Sequence, residues 1–318
     1  MILRVFFIPL ILPSSLFSAT LYTGSPNNIF DTGNWDAGLP AIGNQGTIST
    51  DSAWPSNNDL SGWDLLLTGG TLADESTSFS TNEIYGGTKF DIQGGTWQRN
   101  GVVRIHGGAE VTVGSGAATI GGIAAISAAT GGGQDGGFSL NVSGGTMTMN
   151  NVINFNNQAN LSTINVSGGS LIMGYGASDL RTIDESNSLF NLTGGALSSY
   201  SLNMSAADNN IVVTLSDGQF IVGVGGYNPN STDGITDERN VNFTPGGSAT
   251  WQLEGADQAL FEGLYTNGTL LAGSDNSAPF DSTFQVSGDT ISLLAVPEPS
   301  SALLSLLGLA AFVRRKRS

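Results

Sequence analysis

The sequence predicts an all-β chain folded as a right-handed parallel β-helix of about eight coils. Three observations carry that prediction. First, a Gly-Gly or Asp-Gly pair recurs, with its second glycine at residues 70, 95, 145, 169, 195 and 218, at intervals of 25, 50, 24, 26 and 23. Second, apolar residues stand four positions before the pair (Leu65, Phe90, Leu140, Ile164, Phe190, Val213) and two before it (Leu67, Ile92, Val142, Val166, Leu192, Leu215). The residues between are mostly polar (Asp91, Asn141, Asn165, Asn191, Thr214), so the alternation has period two, the signature of a strand with one buried and one wet face. Third, an apolar residue returns two places after the pair, at Leu72, Trp97, Met147, Leu171, Leu197 and Phe220. Strand, glycine corner and strand at a period near 25 residues describe one coil of a solenoid stacked on the next. The doubled interval holds a degenerate copy at 111–116, and a late copy at 241–247 reaches Trp251.

Residues 1–19 differ from the repeat. Arg4 is the sole charge before Asp31, residues 5–12 are apolar apart from Pro9, and Ser18-Ala19 supplies small residues. That order resembles a secretory signal peptide, with cleavage expected after Ala19. Residues 20–64 hold Trp35, Trp54 and Trp63 and are expected to cap the solenoid's first coil. Exposed as a row, the same rings would instead form a platform for sugar stacking.

The repeats occupy 65–255, followed at 256–295 by a second cap. There Phe284, Val286, Ile291 and Leu293 flank Gly288-Asp289 as a terminal hairpin, which would shield an otherwise open strand edge. Inside the repeats, Val142→Asp is expected to be ruinous and Asn141→Asp, on the wet face, to be tolerated.

The last residues, 296–318, form a third kind of segment. Pro297-Glu298-Pro299 holds the chain extended. A Leu- and Ala-rich apolar run follows, then Arg314, Arg315, Lys316 and Arg317. Fourteen helical residues reach about 21 Å, short of the roughly 30 Å hydrocarbon core. The basic cluster would stay cytoplasmic, and snorkelling with local thinning absorbs the mismatch. A single transmembrane helix is expected.

Composition limits what the body can do. Five cations (Lys89, Arg99, Arg104, Arg181, Arg239) remain between the terminal segments against 25 acids, a charge near −20 where the whole chain carries −16. Such a surface repels nucleic acid and anionic membranes. Without cysteine there are no disulfides or thiolate ligands. The sole histidine, His106, excludes His-based triads and is read as structural. Arg99, Arg104 and Lys89 fall within one coil, as a lyase acting on acidic sugars would require, but outward solubilising charge is the simpler account. Asp233-Gly234 and Asp237-Glu238 loosely resemble a calcium loop, yet Pro229 and Ser231 stand where its first acids belong. Asp184-Glu185 is equally ambiguous. No cofactor is expected, Ca²⁺ being the one ion such acidity could attract.

Pro297, Glu298 and Pro299, the apolar run and the four-residue basic cluster together resemble a PEP-CTERM sorting domain. That resemblance implies export to the cell envelope, outer surface or extracellular matrix, transient anchoring in the inner membrane, an exosortase-type partner that cleaves near the motif, and an extracellular polysaccharide in the surroundings. The repeats, with Asn34-Trp35-Asp36 and Gly38-Leu39-Pro40, resemble autotransporter-associated β-strand repeat proteins. The expected function is that of a non-enzymatic exported structural protein. A carbohydrate-binding matrix protein is the first alternative, and a β-helix polysaccharide lyase or hydrolase the second.

Overall fold

The computed structural model describes residues 18–294, apart from 25–26, 56–57, 75–81, 100, 121, 125–136, 150–152, 156–160, 174–181, 187, 204–210, 229–238 and 274–275. The described part is mostly strand, arranged as a β-solenoid of about seven turns. Strands stack parallel in three columns, here called the first, second and third sheets. In the first sheet, Leu65 pairs with Phe90, Phe90 with Val111, Val111 with Leu140, and the series continues through Ile164, Phe190 and Val213 to Val241. Beyond the glycine corner, the second sheet aligns Leu72, Trp97, Ala118, Met147, Leu171, Leu197, Phe220 and Trp251. The third sheet contains Asn82–Ile84, Val102–Ile105, Gly122–Ala124, Ile153–Phe155 and Thr182–Ser186, and continues into the ends of the two longest strands.

These aligned residues are the core. Leu65, Phe90, Val111, Leu140, Ile164, Phe190 and Val213 are wholly buried, as are Leu72, Met147, Leu171 and Phe220. The period-two pattern therefore decides the register, because a slip of one residue would turn each of these side chains to water. Burial of each contributes roughly 1.5–3 kcal/mol.

The corner between the first and second sheets explains the glycine pair. Gly95 and Gly195 have φ of +70° and +71°, a region that a β-carbon disfavours. Stacking imposes a second requirement: a Cβ on Gly195 would lie 2.5 Å from the carbonyl oxygen of Gly169 in the coil before. Coils spaced by about 4.8 Å leave no room there for a side chain.

Among the described residues seven coils contribute to all three sheets, where the repeat count predicts about eight. The copy at 241–247 accounts for the difference. Its coil supplies Arg239–Phe243 and Thr250–Leu253, and then the chain enters a helix, Gln258–Thr266 (α1), rather than a third-sheet strand. Asp257 caps that helix by accepting a hydrogen bond from the Leu260 amide at 2.9 Å. Phe261, Leu264 and Tyr265 form its buried face, with Phe261 edge-on to Trp251 at 5.7 Å. Spacing of i, i+3, i+4 behind an Asp is a helix signal, one overshadowed in the sequence by the strand-like texture around it. The hairpin around Gly288-Asp289 pairs Phe284–Ser287 with Thr290–Leu293, and the latter runs antiparallel to Thr250–Leu253, ending the second sheet's parallel order.

At the opposite end, stacking already involves Ser18–Leu21 and Asn44–Ile48, upstream of the first glycine pair. Trp35 and Trp63 meet edge-to-face at 6.3 Å, and Trp54 stacks on Trp97 at 6.0 Å. Trp35, Trp54 and Trp63 are all buried, which removes the expectation of a sugar-stacking platform. Large apolar rings fill the coil interior because burial there returns more free energy than exposure.

Candidate functional site

Three features of the surface carry polar chemistry in an ordered way. The first is a charged cluster on the third sheet. Register places Glu83 beside Arg104 on successive coils. Arg104 Nη1 donates to Glu83 Oε1 at 2.7 Å, and His106 Nε2 lies 2.9 Å from Glu83 Oε2. The Tyr85 ring stacks on His106 with centroids 4.2 Å apart. Burial pushes the Glu83 carboxyl up, but hydrogen bonds from Tyr85, Arg104 and His106, together with the His106 charge, outweigh it and hold Glu83 below the usual carboxylate range. Tyr85 is pushed up to about 12, first by its hydrogen bond to Glu83, then by burial and by the Glu83 and Asp59 charges.

That geometry bears on the lyase alternative. A tyrosine serving as base needs a lowered pKa, and here it is raised. Arg104, which would neutralise an acidic sugar, is engaged by Glu83 of its own chain. The sequence-predicted trio of Arg99, Arg104 and Lys89 does not converge. Arg99 lies in the inward row of the second sheet and is 1% exposed, Lys89 faces out from the first sheet, and Arg104 belongs to the third. Reading Arg99 as outward solubilising charge is therefore incorrect: its position continues the inward alternation from Trp97. His106 is bound into the Glu83 cluster, which fits a structural role.

The second feature is an amide ladder on the outer face of the first sheet. Asn191 Nδ2 donates to Asn165 Oδ1 at 2.9 Å, Asn165 Nδ2 to Asn141 Oδ1 at 2.8 Å, and Asn141 Nδ2 to Glu110 Oε1 at 3.2 Å. One side chain per coil both donates and accepts, so each amide satisfies the next. Sequence reasoning had these asparagines facing water but missed their mutual bonding. Their equal offset from each glycine pair was the available signal. Asn141→Asp is accordingly not neutral, because a carboxylate there cannot donate to Glu110 and would face it as a like charge.

Upstream of the ladder, Asp64, Lys89 and Glu110 align, with Asp91 beside them. Burial chiefly raises the Asp91 carboxyl, with Glu110 and Asp64 adding to it, against a hydrogen bond from Thr112 and the charge of Lys89.

The third feature is the outer face of the second sheet. Each of its eight coils presents two outward positions, from Thr71 and Ala73 to Thr250 and Gln252, and every one is Thr, Ser, Ala, Ile or Gln. On a chain of net charge −16 this face carries no charge. Acids border it at both margins: Asp51 accepts from the Thr71 amide and Asp217 from Ser248 at its corner with the first sheet, and Asp289 accepts from the outward Gln252 at 3.2 Å near the hairpin.

No group of three or more histidine, aspartate or glutamate side chains is arranged to hold a metal among the described residues. Asp233, Gly234, Asp237 and Glu238, and the side chains of Asp184 and Glu185, lie outside the described residues. So does the terminal segment with Pro297, Glu298, Pro299, Arg314, Arg315, Lys316 and Arg317. Among the described residues no helix is long and apolar enough to cross a membrane. Ala19 is described: it sits in the strand Ser18–Leu21, paired with Gln45.

Comparison with known proteins yields one match. The model of the PEP-CTERM protein-sorting motif matches residues 295–317. No curated protein and no solved structure matches the chain. The motif implies export, membrane-associated sorting and recognition by an exosortase-type enzyme.

Proposed function

We propose that the chain is a non-enzymatic structural protein of the bacterial cell surface or extracellular matrix. It is delivered by a secretory signal cleaved near Ala19, held in the inner membrane by the apolar segment at 300–313, and released by an exosortase acting near Pro297, Glu298 and Pro299. The match at residues 295–317 carries this reading. The body supports it: on the outer face of the first sheet Glu110, Asn141, Asn165 and Asn191 are bonded to one another in sequence along the solenoid, an arrangement that favours stability over turnover. All five tryptophans, Trp35, Trp54, Trp63, Trp97 and Trp251, are buried, so the rings that would stack on a sugar are committed to the core, which weighs against the carbohydrate-binding alternative.

The test is mass spectrometry of the protein recovered from the surface of an exosortase-bearing host. The expected mature form lacks Arg314, Arg315, Lys316 and Arg317, and replacing Pro297, Glu298 and Pro299 by alanine leaves an uncleaved membrane-held precursor. A surface protein that still ends in that basic cluster makes the tail a permanent anchor and sinks the sorting mechanism.

A further inference from the structure

Cleavage after Ala19 falls inside the solenoid's first strand. Ser18–Leu21 lies parallel to Asn44–Ile48 on one side. On its other side the segment 34–38 folds back over it: Tyr22 bridges Trp35 antiparallel, and the Asp36 amide donates to the Leu21 carbonyl at 3.1 Å. The Asp36 carboxylate grips the same strand. Its Oδ1 accepts from the Leu21 amide at 2.7 Å and lies 3.1 Å from Thr20 Oγ1. Thr20 itself is buried.

This carboxylate is short of a donor. Thr20 Oγ1 stands within bonding distance of two acceptors, Asp36 Oδ1 and the Gly38 carbonyl at 2.9 Å, while accepting from the Ala37 amide at 3.2 Å. A hydroxyl has one proton, so one of the two acceptors goes without it. The sequence offers no basic side chain nearby. Between Arg4 and Lys89 there is no Lys, Arg or His, while Asp31, Asp36, Asp51, Asp59 and Asp64 all fall in the cap at 20–64. Lys89 is three strands further along the first sheet.

We infer that cleavage after Ala19 supplies the cation: the new α-ammonium of Thr20 pairs with Asp36 and locks the N-terminal cap. Hydrolysis of the Ala19–Thr20 peptide bond consumes one water and leaves a carboxylate on Ala19 and an ammonium on Thr20. That nitrogen is three bonds from Thr20 Oγ1 and one residue from the Leu21 amide. Both of those touch Asp36 Oδ1, so the nitrogen lies within about 6 Å of it. Opposite charges at that range favour their ionised forms. The existing sheet bond is kept. The Tyr22 amide donates to the Thr47 carbonyl at 2.9 Å, and the period of two along a parallel strand turns the Thr20 nitrogen to Gln45. An ammonium has three protons, one for Gln45 and two with which to meet Asp36.

The lock also sets an order of events. A strand already held in a sheet is closed to a protease, so cleavage comes before the cap closes, and the charge it creates then holds the closed form. This rests on the signal-peptide part of the reading above, whatever becomes of the tail.

N-terminal sequencing and hydrogen exchange of the surface-recovered protein test it. The expected first residue is Thr20. Asp36→Asn keeps an acceptor for the Leu21 amide and removes only the charge. It should speed exchange at the Tyr22 amide, which is bonded to Thr47, by about threefold. In a chain recovered with Gly-Gly inserted ahead of Thr20, the ammonium is carried about 7 Å away with every side chain in place, and there Asp36→Asn should leave the exchange unchanged. An equal effect in the two chains, or no effect in the wild type, overturns the lock. So does a trimmed chain whose first residue is not Thr20. These results would leave the secretory and sorting readings standing, whereas a surface protein that still begins at Met1 would remove the signal peptide as well.

Discussion

In the coils built from residues 64–113, the outward positions of the first sheet carry Asp64, Lys89, Asp91 and Glu110. In those from 139–215 the same positions carry Ser139, Asn141, Thr163, Asn165, Leu189, Asn191, Val212 and Thr214. Backbone register runs through both regions without interruption, and their inward rows are equally buried. Inner rows and corners are thus fixed by stacking, whereas outer rows are free to be solved in two ways. The early coils place opposed and like charges next to one another, some favourable and some not. The late coils replace charge by amides that satisfy each other in sequence. Glu110 and Asn141 form the junction, where a carboxylate ends one scheme and accepts from the first amide of the other.

The largest expected effect would be common to both regions. Val113→Asp in the early coils and Val142→Asp in the late ones should each unfold or aggregate the body, since an unpaired buried carboxylate costs several kcal/mol. Thermal melting of both measures it. If one is tolerated, the inner rows are not equivalent and the shared-backbone half of the comparison fails.

An intermediate effect should be confined to the late coils. Asn165→Ala removes one donor and one acceptor from the middle of the ladder and should cost about 1–2 kcal/mol. Asn141→Asp should cost about 1 kcal/mol at neutral pH and less in acid, where the new carboxyl is protonated and can again donate to Glu110. Denaturant unfolding of both variants checks this. Unchanged midpoints would mean that water replaces the ladder at no loss.

The smallest effects separate two acids of the early region. Glu83 is held below the usual carboxylate range, so its stabilisation is present above the unfolded-state value near pH 4.3 and is lost as pH falls through its lower folded value. Glu83→Gln should therefore lower the melting temperature by a few degrees at pH 7, with the deficit shrinking below about pH 4. Asp91 is raised, which reverses the sign: its charged form destabilises the fold at neutral pH, and protonation relieves the strain. Asp91→Asn should raise the melting temperature by about 1–2 °C at pH 7 and leave it unchanged in acid. Two shifts of the same sign would show that the early coils do not mix favourable and unfavourable charge.

The inner rows were legible in the sequence because period two and a 25-residue repeat are enforced at every coil, so Leu65, Phe90 and their counterparts announce themselves by position. The corner was legible for the same reason. The Glu83, Arg104 and His106 cluster was not: it depends on the offset between two third-sheet strands, and that sheet has no glycine pair from which to count. Arg99 misled because charge is usually read as outward, while the alternation from Trp97 turns it inward. The final coil was overcounted because a repeat motif specifies two strands and cannot say what closes the third side.

Hydrogen bonds between coils run along the solenoid axis, from Ser18–Leu21 at one end to the hairpin at the other. Tension applied between the two ends therefore loads these bonds in series, one layer at a time, and peels coils rather than shearing them. Each released coil pays out about 25 residues, roughly 80 Å of contour for about 4.8 Å of folded height. A protein stretched this way would yield in even steps at nearly constant force, and layers still closed would keep their structure while the chain lengthens.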